Sequence, residues 1–196
     1  MNLQGRSYTK LKLKDLTSRI AIKLVEVYFQ HVAGIELDYV HLGEAALRYD
    51  PALFSEADII RQFKELGFET LNDPEDELVE QIRIAAIELI RLAGNVNSLI
   101  RNSDYLSERL GLPYDKISRI YSRKKGKTLE TFLIQLKIEK AKELIITDKY
   151  TLSEISYMLD YSSVQYLSNQ FRKVTGITVS QFKDDPQAHL VPIEEL

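Results

Sequence analysis

Two stretches of the chain repeat each other about 50 residues apart, and this repeat constrains the fold more than any other feature. Residues 106–128 read LSERLGLPYDKISRIYSRKKGKT, and residues 152–178 read LSEISYMLDYSSVQYLSNQFRKVTGIT. The matched pairs hold identical or similar residues: Ser107 and Ser156, Leu110 and Leu159, Ile117 and Leu167, Ser118 and Ser168, Tyr121 and Phe171, Gly126 and Gly176, and Thr128 and Thr178. Matched apolar spacing at this period predicts two copies of one structural unit, which is too few for a solenoid.

Each copy is predicted to form a helix, a tight turn and a second helix. In the first copy a helix near residues 104–110 should end at Gly111, and Pro113 suits the start of the next helix. In the second copy Asp160 occupies the turn, because aspartate tolerates left-handed backbone better than most residues. The second helices should bury one apolar face, formed by Ile117, Ile120 and Tyr121 in one copy and by Leu167, Phe171 and Val174 in the other.

Residues 129–146, between the two copies, are predicted to form one long helix. Their apolar residues recur at helical spacing: Leu129, Phe132, Leu133, Leu136, Ala141, Leu144 and Ile145. Such a helix spans about 27 Å at the helical rise, and successive major-groove faces on one side of DNA lie roughly 34 Å apart. The long helix could therefore hold two helices near the separation that adjacent major-groove segments require.

The second helix of the later copy also carries a face of small polar side chains. Ser163, Gln165, Ser168, Asn169 and Arg172 share this face. In a major groove such side chains hydrogen-bond to base edges and phosphates. On a single helix, solvated surface would be the more common explanation. Two matched copies in a basic segment, held at this spacing, favour DNA binding.

Charge is distributed unevenly along the chain. Residues 98–183 carry 15 Lys and Arg against nine Asp and Glu, whereas residues 1–97 carry 11 against 16. A basic segment joined to an acidic one suggests a nucleic-acid module beside a module of different purpose, with ordinary variation in surface charge as the alternative. The chain has no cysteine, which removes disulfides, thiolate metal sites and thiol nucleophiles. It shows no signal peptide and no membrane span, so we expect a soluble cytoplasmic protein that does not engage a membrane.

Residues 98–183 contain a series of motifs that occur together in one protein family. They are LSERLGL at 106–112, ISRIY at 117–121, GKT at 126–128, KIEKAKELI at 137–145, TLSEIS at 151–156, YSSVQYLSNQFRKVTGIT at 161–178 and QFK at 181–183. In this order they resemble the DNA-binding domain of AraC/XylS-type bacterial transcription regulators. The resemblance implies an all-α domain with two helix-turn-helix units and a regulator that binds double-stranded DNA at a specific sequence. Ser156, Asp160, Val179 and Lys137 stand where that family usually has Ala, Gly, Pro and Arg.

Carried over by position, the resemblance assigns residues to DNA contact. In the first copy they are Tyr114, Asp115, Ser118, Arg119 and Ser122, and in the second they are Ser162, Ser163, Gln165, Ser168, Asn169 and Arg172. Lys125 and Lys173 are expected to contact phosphates, with solvated surface as the alternative. We expect Arg119 to be the strongest base reader, since arginine to guanine is the commonest specific contact. Asp115 would have to accept a hydrogen bond from cytosine or orient Arg119, and Val164 could either meet a thymine methyl or pack inward.

The first part of the chain alternates between strand and helix patterns. The sequence predicts strands at 8–13, 35–41, 45–49 and 68–71, and helices at 16–31 and 54–66, with Ser55 and Asp58 as a capping box. The order strand, helix, strand, strand, helix, strand is that of the ferredoxin-like arrangement, βαββαβ. We therefore predict an α+β ferredoxin-like domain at 1–73 ahead of the all-α domain at 98–183.

The motifs GI at 34–35, RYD at 48–50 and LGF at 66–68 resemble the small heavy-metal-associated domain. That family binds metal through a Cys-x-x-Cys pair ahead of its first helix, and by counting the pair should fall near Ser18 and Ala21. Neither residue is such a ligand, so we expect no metal and no cofactor. His31 and His41 are more readily explained as structural or exposed residues than as ligands.

Two further segments complete the predicted organisation. Residues 74–97 should form a linker helix followed by a hinge at 94–97, and the acidic residues 184–196 a flexible tail. The apolar stripe of the linker helix could pack on the sheet or pair with a second subunit. A homodimer could therefore form through the first domain or through this helix, and the sequence identifies no effector.

Three classes of function remain after these observations. A sequence-specific regulator of transcription fits best, and a protein- or ligand-binding module whose helix-turn-helix pair no longer reads DNA is the alternative. An enzyme fits least, because the chain lacks cysteine, a glycine-rich phosphate loop, and a histidine close to acids at a useful spacing. Glu36, Asp38 and His41 share one predicted strand, which is a weak and unspecific pattern.

Overall fold

The computed structural model describes residues 5–92 and 102–196, which fall into two compact units, Met1–Ile84 and Ala85–Leu196. We call them unit 1 and unit 2. The boundary between them falls inside the predicted linker helix, eleven residues later than the predicted end of the first domain at 73. The predicted hinge at 94–97 lies outside the described residues.

Unit 1 is built on a small antiparallel sheet. Its elements are β1 (Ser7–Lys12), α1 (Arg19–Gln30), β2 (Ile35–His41), β3 (Glu44–Tyr49), α2 (Glu56–Glu65) and the first part of α3 (Pro74–Leu92). The sheet order is β1-β3-β2, and both Ser7 and Ile35 pair with Tyr49. Because successive side chains of a strand point to opposite faces, Ala45 and Leu47 are buried on one face with the residues of α1 and α2.

The turn between β2 and β3 depends on Gly43. This residue has a φ of +72°, which favours glycine. A Cβ placed there would also lie 2.7 Å from Cδ1 of Ile84 in α3. The turn thus needs glycine for its backbone conformation, and any side chain there would also displace the end of the Ile84 side chain.

The fourth predicted strand, 68–71, is reduced to a single bridge between Leu13 and Thr70. Two backbone bonds flank it, from Lys14 N to the Glu69 carbonyl and from Leu71 N to the Lys12 carbonyl, at 2.9 and 2.8 Å. The chain must then turn at once, because α3 begins at Pro74. Unit 1 therefore has a three-stranded sheet, and the expectation of four full strands is wrong at this edge.

Both helices of the sheet layer begin at capped residues. Ser18 accepts a hydrogen bond from Ala21 N at 3.1 Å, so the two positions where a cysteine pair would fall form the N-cap of α1 instead. Because of this cap, α1 begins three residues later than predicted, and Leu16 is buried ahead of it. The predicted capping box of α2 is confirmed, with Ser55 and Asp58 bonded reciprocally.

The helix predicted to begin at Pro74 is present as α3, and much of its apolar surface is buried. In unit 1 the buried Arg83 donates to Asp15 at 2.6 Å and to Glu80 at 2.9 Å. Val79 and Ile82 are buried in the same stretch. In unit 2 the buried Ile87 and Ile90 line a crevice with Leu136. The alternative in which this stripe pairs with a second subunit would need residues that this chain already buries.

Unit 2 is helical. Its elements after the end of α3 are α4 (Asn102–Leu110), α5 (Tyr114–Lys125), α6 (Leu129–Thr147), α7 (Leu152–Met158), α8 (Val164–Thr175) and α9 (Val179–Asp184). The long helix α6 packs against α5 of the first copy and against α7 and α8 of the second. All seven apolar residues of its predicted stripe are buried, which confirms that helix and its inner face.

The sequence repeat is also a repeat in structure. Both second helices end at left-handed glycines, Gly126 at φ +68° and Gly176 at φ +79°. The next helix is then capped by Thr128 in one copy and by Thr178 in the other. Helix α9 thus occupies in the second copy the place that the start of α6 occupies in the first.

One buried ring pair recurs with the same offset. Tyr121 stacks on Phe132 with centroids 5.4 Å apart, and Phe171 meets Phe182 edge-on at 5.5 Å. All four rings are fully buried. The aromatic pair therefore joins each second helix to the helix that follows it.

The turns inside the two units use different residues for the same backbone conformation. Gly111 has a φ of +64° and Asp160 a φ of +57°. The predicted left-handed position of Asp160 is confirmed. Aspartate is one of the few residues with a side chain that enter this region without a large penalty.

The acidic end of the chain, predicted as a flexible tail, contacts α6. It contains two 3₁₀ turns, Gln187–His189 and Ile193–Glu195. The buried Lys142 ammonium donates to Glu139 and to the His189 carbonyl, both at 2.6 Å, and Val191 N donates to Glu139 at 3.4 Å. The buried ion pair on α6 needs these extra partners, since buried charges are costly unless their hydrogen bonds are satisfied.

Candidate nucleic-acid interface

We call α5 and α8 the reading helices, because they carry most of the residues that the sequence assigns to DNA. On α5 the core side is set by Ile117 and Tyr121, both fully buried. Asp115 and Arg119 lie on the exposed side, one turn apart. Arg119 is thus free to extend outward from the fold, as a base-reading arginine must.

Two serines of α5 that the sequence assigns to DNA contact are less accessible than expected. Ser118 and Ser122 are half-buried, and Ser122 Oγ donates to the Ser118 carbonyl at 2.8 Å. A hydroxyl that bonds back to its own helix has its donor occupied. Between Asp115 and Arg119, both described, no hydrogen bond or ion pair is formed.

The basic end of α5 combines capping and surface charge. Its last turn contains Arg123, Lys124 and Lys125, and cations there are stabilised by the negative end of the helix dipole. Lys125 is exposed. Lys127, beyond the helix, instead donates to Gln135 on α6 at 2.8 Å and lies 5.5 Å from the Phe132 ring. Lys127 therefore packs against the long helix.

The exposed face of α8 is richer in amide groups. Gln165, Asn169, Arg172 and Lys173 are exposed on it, and Ser168 is half-buried beside them. Gln165 Nε2 donates to Asn169 Oδ1 at 3.1 Å. This face therefore presents a linked pair of amides followed by two cations.

The serines at the start of α8 have different roles. Ser163 is the N-cap, and its Oγ accepts from Tyr166 N at 3.1 Å. Ser162, the residue before it, is exposed. The hydroxyl of Ser163 thus caps the start of α8. The hydroxyl of Ser162 does not cap this helix and is exposed.

A groove beside α8 adds residues that the sequence assignment missed. Its volume is about 480 Å³, and four of the predicted residues line it: Gln165, Ser168, Asn169 and Arg172. Thr178, Ser180 and Lys183, in and just before α9, line its other side. The repeat could have identified them, since α9 is the counterpart of the start of α6.

Tyr114 lies apart from the other predicted residues. It lines a separate cleft of about 370 Å³ in unit 2, together with Lys137 on α6 and Tyr161, Tyr166 and Gln170. Burial, and secondarily Glu130, raises the pKa of Tyr114. In the same cleft burial lowers the pKa of Lys137, whose Nζ lies 5.6 Å from the Tyr161 ring, and burial raises the pKa of Tyr161 to about 12.

The weaker enzyme and metal patterns of unit 1 are engaged in local contacts. Glu36 pairs with Arg6 at 2.6 Å and Asp38 with Arg48 at 3.4 Å, while His41 stacks on Tyr39. His31 Nδ1 bonds to the Val27 carbonyl at 2.8 Å. Within residues 5–92 and 102–196 there is no cluster of three or more side chains suited to hold a metal ion. Nor does that part of the chain contain a helix with the length and apolarity needed to cross a bilayer.

Comparison with known proteins gives the class of this domain. Residues 106–185 match a family model described as a helix-turn-helix domain, so unit 2 carries such a domain. This domain belongs to the AraC/XylS type of transcription regulators, which confirms the resemblance seen in the sequence.

Two curated relatives show how far the likeness extends. The xylose operon regulatory protein of Escherichia coli K12 is 27% identical over 81 residues, which cover 41% of this chain and 21% of that protein. The DNA-binding dual transcriptional regulator Rns of Escherichia coli is 30% identical over 113 residues, covering 55% and 42%. The chain thus spans about a fifth of the first relative's length and two fifths of the second's.

Two solved structures also align with this chain. The C-terminal domain of AraT, a response regulator from Geobacillus stearothermophilus, aligns with a TM-score of 0.45 and 19% identity over 61% of this chain and 89% of that one. The DNA-binding domain of AdpA, in complex with a target DNA, aligns with a TM-score of 0.42 and 20% identity over 60% and 96%.

Proposed function

We propose that this protein is a sequence-specific DNA-binding regulator of transcription, whose two reading helices enter two adjacent major-groove segments. The observation that carries the proposal is the structural repeat: two equivalent helices, each exposing a polar face, lie on the same long helix α6. At 19 residues α6 is about 29 Å long, close to the roughly 34 Å that separates successive major grooves. The proposed activity is binding to chromosomal DNA in the cytoplasm, without a chemical step.

The side chains divide into base readers and phosphate contacts. Arg119 is the expected guanine reader of α5, with Asp115 beside it as an acceptor for cytosine N4. Arg172, Lys173 and Lys125 are exposed cations suited to phosphates. Ser118, Ser122, Ser162, Ser163 and Ser168 complete the proposed interface as polar contacts on the two helix-turn-helix units. Tyr114, which lines a separate cleft, is proposed as a further contact at the start of α5.

The proposal is tested by selecting binding sites for the full chain from a random-sequence DNA library at two salt concentrations. We expect a motif with two blocks about one helical turn apart, and an affinity that falls with salt because phosphate contacts release counterions. Arg119→Ala should relax the base preference of one block alone. Arg61→Ala, an exposed arginine in unit 1, is the control and should leave both blocks intact.

A uniform, weak recovery of DNA that disappears with salt would contradict the proposal. The alternative function, a protein- or ligand-binding module that retains the helix-turn-helix fold, would then be favoured. Loss of both blocks in Arg119→Ala, with the chain still folded, would contradict the independent use of the two helices.

For unit 1 we infer a ferredoxin-like domain with a shortened fourth strand. The sheet order β1-β3-β2 and the antiparallel bridge from Leu13 to Thr70 support it, because they place residues 68–71 beside β1. The crossing helices α1 and α2 follow β1 and β3, as the βαββαβ order requires.

We also infer that unit 1 forms a homodimer through α1. Ile20, Leu24 and Val27 form an exposed apolar stripe, with 83, 47 and 43% of each residue's surface accessible. Lys23 and Glu26 flank the stripe and pair with each other at 3.2 Å. In an antiparallel pair of α1 helices these opposite charges would face each other across the contact, so the surface is complementary to itself.

Sedimentation velocity tests the dimer. Ile20→Glu should shift the full chain from dimer to monomer, because a carboxylate would be buried in the contact. Leu53→Glu, at another exposed aliphatic residue of unit 1, is the matched control and should leave the dimer intact. A wild-type chain that sediments as a monomer at micromolar concentration would contradict this inference.

A further inference from the structure

The two reading helices differ at one pair of equivalent positions. With the offset of 50, Asp115 and Arg119 of α5 correspond to Gln165 and Asn169 of α8. In α5 the two side chains form no bond with each other. In α8 the corresponding amides are joined, with Gln165 Nε2 donating to Asn169 Oδ1 at 3.1 Å. The second reading helix thus carries a built arrangement that the first one lacks.

This bond defines which way the Asn169 amide faces in the structure. Oδ1 lies toward Gln165, so Nδ2 lies on the other side of Cγ, within the same amide plane. Oδ1 keeps a second lone pair, and Nδ2 keeps both of its hydrogens. Asn169 therefore presents one acceptor beside one donor, in a fixed order, on the exposed face of α8.

We propose that Asn169 reads an adenine in the major groove and that Gln165 is its positioning residue. The inference rests on the proposed function and adds the base identity of the second block. Adenine offers the N6 amino group as donor and N7 as acceptor, which Oδ1 and Nδ2 of Asn169 match as a bidentate pair. Guanine offers two acceptors, O6 and N7, so O6 would face Oδ1 without a proton between them.

The surroundings of the pair suit a nucleic acid. Gln165 and Asn169 line the groove beside α8, whose cations are Arg172 and Lys183. No carboxylate is among the described residues that line this groove. Two cations in the same groove as the two amides would provide phosphate contacts around a base-reading centre, and the described lining includes no carboxylate that would repel the DNA backbone.

The two blocks of the DNA site should therefore differ in composition. The block under α5 contains a G·C pair read by Arg119, and the block under α8 contains an A·T pair read by Asn169. A bidentate contact of either kind discriminates against the wrong base by about fivefold to a hundredfold. The site is then asymmetric, and this asymmetry orients the protein on the duplex.

The test uses the full chain and a duplex that carries the selected two-block site. The second-block adenine is replaced by 7-deazaadenine, which lacks only the N7 acceptor, and in a second duplex by guanine. Each replacement should weaken wild-type binding by about fivefold to a hundredfold. Asn169→Ala should weaken binding to the adenine site by a similar factor and then show no further loss with 7-deazaadenine, because the variant no longer makes that contact.

The role of Gln165 is tested by base preference. In Gln165→Glu the carboxylate cannot donate to Oδ1 and would accept from Nδ2, which turns the Asn169 amide over. The ratio of affinities for the adenine and guanine duplexes should then fall toward one, whatever the change in overall affinity. Gln170→Ala is the matched control, since Gln170 lies on α8 but donates to Tyr166 and is absent from this groove.

The outcomes separate this inference from the proposed function. A selected second block without a consistent A·T pair overturns the inference, and so does an Asn169→Ala chain that keeps the full sensitivity to 7-deazaadenine. In both cases specific binding through Arg119 would still support the proposed function. A wild-type chain that prefers no site over random DNA would contradict the proposed function itself.

Discussion

The two helix-turn-helix copies agree in what holds them together and differ in what they expose. Both end their reading helix at a left-handed glycine, cap the next helix with threonine, and bury one aromatic pair. At the exposed positions one copy carries Asp115 and Arg119 and the other Gln165 and Asn169. The comparison shows that packing and capping define the unit; under the proposed function, the four exposed side chains would give each copy its own DNA preference.

The two copies also differ in their neighbours. The first copy continues directly into α6, whereas the second ends in the short helix α9 and is followed by the tail. The buried pair of Lys142 and Glu139 on α6 takes its remaining hydrogen bonds from this tail. Substitutions at matched positions of the two copies, compared by their change in the free energy of unfolding, therefore show whether the two copies are energetically equivalent.

The largest expected effect comes from breaking one of the buried ring pairs. Phe171→Ala should lower the free energy of unfolding by about 3–5 kcal/mol, because it deletes a fully buried ring and leaves a cavity against Phe182. Urea denaturation followed by circular dichroism measures it. Tyr166→Ala, half-exposed on the same helix, should change stability by less than about 1 kcal/mol. An equal loss in both variants would show that α8 is not packed through Phe171.

A smaller loss of stability is expected at the glycine that ends each reading helix, and it should be equal in the two copies. Gly126→Ala and Gly176→Ala should each destabilise by about 1–2 kcal/mol, because both residues have positive φ and an added Cβ would meet no atom within 4 Å. The penalty is then that of the backbone alone, and the two values should agree within about 0.5 kcal/mol. Clearly different losses would show that the two C-caps are not equivalent.

The smallest expected change in the free energy of unfolding has opposite signs in the two turns that contain Asp160 and Gly111. Asp160→Gly should stabilise by up to about 0.5 kcal/mol, since glycine enters the left-handed region without strain. Gly111→Ala, at the equivalent position of the first copy, should destabilise by about 1 kcal/mol. Asp160→Asn is the control for charge, because asparagine also tolerates this backbone. A destabilised Asp160→Gly with an unchanged Asp160→Asn would mean that the aspartate conformation is not strained.

Much of this architecture could be predicted from the sequence, because the repeat and the helical periods are local signals. The inner face of α6, the left-handed Asp160 and the capping box at Ser55 are all confirmed. Interactions between distant residues were harder to predict. The shortened strand at 68–71 follows from the early start of α3. The docked tail supplies the further hydrogen bonds that the buried pair of Lys142 and Glu139 needs.

The candidate site was predictable in position but not in detail. Spacing located the exposed faces of α5 and α8, yet it could not show that Ser122 and Ser163 use their hydroxyls within their own helices. It also could not show that Gln165 and Asn169 are bonded, because a hydrogen bond depends on rotamers that the sequence does not specify. The repeat pointed to α9 as the counterpart of the start of α6, but that Lys183 lines the groove depends on how α9 packs against α8.

The measurement that tests the central claim most directly is a change in the spacing of the two DNA blocks. Five base pairs inserted between the blocks turn them to opposite sides of the duplex, since one helical turn is about 10–10.5 base pairs. If both reading helices are held by α6 and used together, affinity should fall to that of a duplex with a single block. An affinity that is unchanged by the insertion would contradict paired reading by the two copies.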